Sequence, residues 1–106
     1  MSVWSQDAVW QVRDDLAFTG SDEIRSAIQQ QWATCRRAFH WTSNPSILVS
    51  PDTRTARARF DVRSEVELLD GTWVSLTGSY HDEYRREPAG WRMTTRIAVV
   101  HTQRPL

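Results

Sequence analysis

The sequence predicts an α+β domain in which one main helix lies against a strongly curved, mainly antiparallel sheet. Three observations carry this. From Thr72 to His101 the chain reads as two long alternating strands joined by the short turn Glu87-Pro88-Ala89-Gly90. Thr53 to Leu69 alternates in the same way and ends on the turn pair Asp70-Gly71. Between Asp22 and about Arg37 the apolar residues Ile24, Ile28, Trp32 and Cys35 fall on one stripe of a helix. The 106 residues make one domain, spanning 1–106.

Taken in order, Ser2 to Val12 is a short strand, with Ala8, Trp10 and Val12 alternating with Val9 and Gln11. "RDDLAFTGSD" reads as loop. Gly20 and Ser21 open the helix, and Asp22 and Glu23 place negative charge on its first turn. "AFHWTSNPSILVS" is a strand interrupted at Ser43-Asn44-Pro45, because proline cannot donate to a ladder. Ala56, Ala58, Phe60, Val62, Ser64 and Val66 form the apolar face of the next strand.

The register of the following hairpin can be argued. A two-residue loop at Asp70-Gly71 sets Glu65 and Glu67 among apolar residues. A three-residue loop with left-handed Gly71 instead pairs Val66 with Val74, Phe60 with Tyr80, Ala58 with Asp82 and Arg57 with Glu83. Burial favours the bulged turn. Simple alternation then places Met93, Thr95 and Ile97 on the Tyr80 face, Arg96 on the opposite one, and leaves Gln103 to Leu106 as a tail. One helix cannot cover such a sheet, so a partner chain or missing sequence must, and self-association, most simply a homodimer, is expected.

Composition narrows the function classes. A formal net charge of zero gives no electrostatic case for nucleic acid or an anionic membrane. Cys35 is the single cysteine, which excludes a disulfide framework and a cysteine-based metal site. His81 and His101 lack converging partners for a metal. No Gly-rich phosphate loop is present, and no cofactor is expected. No signal peptide or membrane span is seen, so a soluble cytoplasmic protein is expected.

"GSYHDEYRREPAGWRMTTR" resembles the closing hairpin of SnoaL-like domains in the nuclear transport factor 2-like superfamily. "FHWTSNPSILVSPDTRTARARF" resembles that family's His-plus-Asn-Pro strand and the strand after it, "GSDEIRSAI" the turn opening its helix, and "WSQDAVW" the segment before. The resemblance runs from about Trp4 to Arg96. It implies a cone-shaped sheet around a pocket, the cystatin-like α+β barrel. It also implies one of several roles: dehydratase, isomerase, cyclase, non-catalytic subunit or dimerisation module. The family begins with one or two helices that roof the pocket. This chain starts later, which implies truncation or a roof from a partner.

His40 matches the family's pocket histidine, which in dehydratase-like members is the general base. Tyr80 and Asp82, two residues apart, point into the same apolar face. There an unpaired carboxylate would hold a proton and suit acid–base work. These three are the candidate catalytic residues, and Trp32, Trp41, Phe60, Ser64 and Met93 are the candidate pocket lining. Two readings follow. In one, a hydrophobic, polycyclic or aromatic small molecule undergoes cofactor-free proton transfer at His40. In the other, the domain is a non-catalytic ligand-binding or dimerisation module, favoured by the apolar face of Ala58, Phe60 and Val62. They differ in whether His40, Tyr80 and Asp82 converge around one enclosed cavity.

Overall fold

A computed structural model describes residues 3–106. Its elements are β1 (Trp4–Arg13), β2 (Leu16–Thr19), α1 (Ser21–Ala33), β3 (Cys35–Val49), β4 (Thr55–Leu68), β5 (Trp73–Glu87) and β6 (Gly90–Pro105). The six strands form one sheet in the order β2-β1-β6-β5-β4-β3. All pairings are antiparallel except β1 with β6, which is parallel.

The bulged turn is present. Gly71 has φ of 87°, and β4 meets β5 with Val66 opposite Val74, Phe60 opposite Tyr80, Ala58 opposite Asp82 and Arg57 opposite Glu83. Burial decides the register as argued, since Ala56, Ala58 and Val62 face inward and are buried. The interruption in β3 is a bulge between Ser43 and Ser46. Asn44 takes φ of 51° there, a conformation asparagine tolerates, and donates to Asp61 Oδ2 at 2.9 Å.

Four expectations need correction. The segment expected as loop contains β2, which pairs with β1 through Trp10 opposite Phe18. Its four residues are too few to show alternation. The helix stops at Ala33 rather than near Arg37, with Thr34 at its C-cap, and Arg36 and Arg37 already belong to β3. The expected tail continues β6, pairing Pro105 with Val74. Most consequentially, β6 carries a bulge: Tyr84 faces Met93 while Glu83 faces Thr95, so Thr94 is an extra residue. The faces therefore exchange after Met93. Arg96 points inward opposite Asp82, and Thr95 and Ile97 point outward.

A second irregularity lies between Thr77 and Gly78. A Cβ on Gly78 would overlap the Val99 carbonyl oxygen of β6. Gly78→Ala is therefore expected to cost about 1–3 kcal/mol through forced backbone displacement. A urea melt showing an unchanged midpoint would contradict this.

The helix enters behind Gly20, whose φ is 90°. Glu23 returns its carboxylate to the Thr19 amide at 2.8 Å, satisfying a donor at the helix start. Ile24 is fully buried, and α1 lies over β1, β2 and the start of β3. It leaves the far end of the inner face open. Ile47 and Val49, which alternation and pairing with Ala58 and Ala56 put on that face, are 58% and 54% exposed. Among the described residues no helix is long and apolar enough to cross a membrane.

Candidate functional site

Between α1 and the inner sheet face lies a cavity of about 470 Å³. Its apolar wall includes Trp10, Val62, Val66, Leu76 and Ala98. Three polar candidates reach it from three elements: Ser64 on β4, His40 on β3 and Tyr80 on β5. The register explains their meeting. His40 sits opposite Ser64, and Tyr80 lies on the next strand opposite Phe60. The Tyr80 hydroxyl and His40 Nε2 are 2.9 Å apart, and the two rings meet edge to face.

Behind Tyr80 is a charged layer that alternation alone concealed. Asp82 is 2% exposed and accepts three hydrogen bonds. Arg96 donates from Nε to Oδ1 at 2.9 Å and from Nη2 to Oδ2 at 2.8 Å, and the Tyr84 hydroxyl donates to Oδ2 at 2.8 Å. The Arg96 guanidinium also lies 4.1 Å from the centre of the Tyr80 ring, a cation–π contact. The site thus runs from His40 through Tyr80 and Arg96 to Asp82 and Tyr84. Arg96 and Tyr84 were missed as site residues. Arg96 left no local signal: Trp91, Met93, Ile97 and Val99 keep one alternation through Thr94, and the bulge shows only in the pairing with β5.

The electrostatics follow from this layering. Loss of water on burial, and secondarily the Arg96 charge, pull the His40 pKa below the ordinary imidazole value of 6.5. His40 is nonetheless an exposed residue, so the desolvation is partial. Burial pushes the Tyr80 phenol above 10, partly offset by Arg96. Tyr84 rises to about 12, through burial first and its bond to Asp82 second.

The remaining candidates divide. Trp32 stands at the cavity mouth, 68% exposed, rather than on a buried helix stripe. Ser64 lines the cavity wall. Asp82 is not at the cavity surface; its oxygens are taken by Arg96 and Tyr84. Phe60 shares the inward face but lies outside the lining, and Met93 is buried opposite Tyr84, beyond the charged layer. Trp41 is on the outer face, stacked near Phe39 with Arg63 over its ring. Strand alternation puts Trp41 opposite in sense to His40, so the two cannot both line the cavity. Among the described residues no three His, Cys, Asp or Glu side chains gather where they could hold a metal.

Comparison with known proteins accords with this architecture. The model of the SnoaL-like domain matches residues 1–97. Hexachlorocyclohexane dehydrochlorinase LinA-type3 from Novosphingobium barchaimii LL02 superposes with a TM-score of 0.88 at 19% identity, covering 99% of this chain and 73% of that one. A Novosphingobium aromaticivorans DSM 12444 protein provisionally assigned as scytalone dehydratase gives 0.87 at 19% identity, covering 98% and 70%. A nuclear transport factor 2-like protein with a cystatin-like fold from Novosphingobium aromaticivorans gives 0.75 at 23% identity, covering 92% and 64%. At such identities the likeness is one of fold: a helix on a cone-shaped sheet. No curated protein matches the chain.

Proposed function

The chain belongs to the SnoaL-like domain family, and from that premise we propose that it binds a hydrophobic small molecule and moves a proton on it without a cofactor. The observation that carries this reading is the His40–Tyr80 pair, 2.9 Å apart on the wall of an otherwise apolar cavity. A base needs a free lone pair and a neutral resting state near neutral pH. His40 has the second, because its pKa is depressed. Tyr80, with its pKa raised, stays protonated and donates its O–H to Nε2. A substrate carbonyl or phenol oxygen that takes over this O–H releases Nε2. The imidazole then accepts a proton from the adjacent carbon and returns it to a neighbouring position or to a leaving group. Arg96, held over the Tyr80 ring, favours negative charge developing on that oxygen.

Dehydration, isomerisation and elimination all begin with this proton removal. The apolar wall suits a flat aromatic or polycyclic skeleton. The test is exchange of deuterium from D₂O into a panel of hydrophobic ketones, phenols and halocarbons, followed by NMR, with Trp fluorescence reporting binding. Exchange dependent on the protein supports the reading. Tight binding without exchange for any member would instead support the second reading, a non-catalytic ligand-binding module. That alternative is favoured by two observations: the cavity mouth beside Trp32 is open to solvent, and Asp82 does not join His40 and Tyr80 on the cavity wall.

A further inference from the structure

The cavity has a polar end and an apolar lane, and the strand register shows where one gives way to the other. His40 on β3, Ser64 on β4 and Leu76 on β5 stand at one level of the inner face. The next inward level is Ala38, Val66 and Val74, and beyond it β4 ends at Leu68, opposite Cys35. Past Ser64 the floor is therefore Val66 and Leu68, with Ala38 on one side and Leu76 and Val74 on the other, all lining the cavity. From Ser64 to Leu68 is four residues of strand, about 13 Å, the length of an extended alkyl chain of about ten carbons. α1 ends at Ala33, just before Cys35, so the lane runs out where Trp32 stands exposed at the mouth.

We propose that the ligand of this cavity is an uncharged carbonyl or phenolic compound with a linear alkyl arm, which enters head first and lays the arm along the lane. The proposal rests on the reading above for the seat of the head, at His40 and Tyr80. Two observations carry the rest. Among the described residues no Asp, Glu or Arg side chain lines the cavity, and the chain has no lysine. A carboxylate, phosphate or ammonium held in the lane would lose water with no opposite charge to replace it. The lane is also apolar yet only partly covered: Val66, Leu68, Val74 and Leu76 are each half-buried. An alkyl arm lying on them removes apolar surface from water on both partners.

Shape and polarity give the arm its form and direction. From β3 to β5 is two strand spacings, about 10 Å between backbones. With Ala38 and Val74 rising on either side, that width suits one alkyl chain better than a second fused ring. His40, Ser64 and Tyr80 lie at the inner end of the lane, so the oxygen-bearing head goes in first and the arm trails toward Trp32. A charge is then refused close to the head, where it would lie among Val66, Val74 and Leu76. It is tolerated on an arm long enough to carry it past Leu68 into water. Ala38 is the small side of the lane, and a large side chain there would fill it.

The test is the dissociation constant, from Trp fluorescence and NMR titration, of 2-hexanone, 2-octanone and 2-decanone, with deuterium exchange followed in the same samples. Affinity should rise about threefold for each added methylene. 5-Oxohexanoate, whose carboxylate falls inside the lane, should bind about tenfold more weakly than 2-hexanone or worse. 13-Oxotetradecanoate, whose carboxylate falls beyond Leu68, should bind at least as tightly as 2-decanone. Ala38→Trp, shown by circular dichroism to be folded, should flatten the series, so that 2-decanone binds no more than about threefold tighter than 2-hexanone. The two oxo acids need no variant, so they decide the matter even if Ala38→Trp misfolds. Affinity indifferent to arm length, equal binding of 5-oxohexanoate and 2-hexanone, or an unchanged series in folded Ala38→Trp would each overturn the proposal. So would a wild type that binds no member, the result expected if a polypeptide segment fills the lane. Length-dependent binding without exchange supports the lane and overturns the proton-transfer reading. Exchange without length dependence does the reverse.

Discussion

Replacing Arg96 by methionine should lower the unfolding free energy by about 3–5 kcal/mol. The reason lies in Asp82. Its carboxylate is 2% exposed, on an inner face flanked by Ala58 and Met93, and two of its three hydrogen bonds come from Arg96. Removing the guanidinium leaves a buried charge with Tyr84 as its one donor. Burial of an uncompensated charge costs far more than the pair itself contributes. The double substitution Asp82→Asn with Arg96→Met removes the charge along with its partner and should regain much of the loss. Urea titrations of the wild type, both single variants and the double variant decide it. A cost below about 1 kcal/mol for Arg96→Met, or a double variant no better than the worse single, would show that the pair does not hold this layer together.

That pair also shows what the sequence could and could not convey. Hairpin β4–β5 was legible because both strands alternate without interruption, and burial of the apolar face selects one of the two registers that the Asp70-Gly71 turn allows. Tyr80 and Asp82 were placed inward on the same grounds. Past Pro88 the rule failed at one residue. Thr94 is extra, its hydroxyl donating to the Glu83 carbonyl at 3.2 Å, and an extra residue reverses every later side chain. Nothing in "WRMTTRIAVV" distinguishes a bulge at Thr94 from a regular strand, since Ile97 and Val99 are apolar and look like core. They are instead apolar positions on the outer face, and Arg96 takes the inner one. β3 failed differently. It is an edge strand that the helix covers only at its start, and its large aromatics Phe39 and Trp41 share the outer face, so aromatic character gave no inward signal for His40. The parallel pairing of β1 with β6 joins residues more than eighty positions apart, which no local period can encode.

His40→Gln should reduce proton transfer by about 10²–10⁴-fold while leaving ligand binding near the wild-type level, because glutamine keeps a polar group within reach of Tyr80 but cannot accept and return a proton at neutral pH. The pH profile provides an independent check. The neutral imidazole is the active form, so activity rises as pH climbs through the folded pKa of His40 and is level above it. That pKa lies below 6.5, so the acid limb should lie below the limb of free imidazole. Tyr80 titrates above 10, so no loss from its ionisation is expected through about pH 9. Removing the Arg96 charge, in the Asp82→Asn/Arg96→Met background if that folds well, should move the acid limb upward only partway. Desolvation is the larger cause of the depression and the Arg96 charge the smaller one. An acid limb at or above 6.5 in the wild type would mean that the imidazole is not held neutral by the cavity. Retention of full exchange by His40→Gln would move the base elsewhere and end the proton-transfer reading.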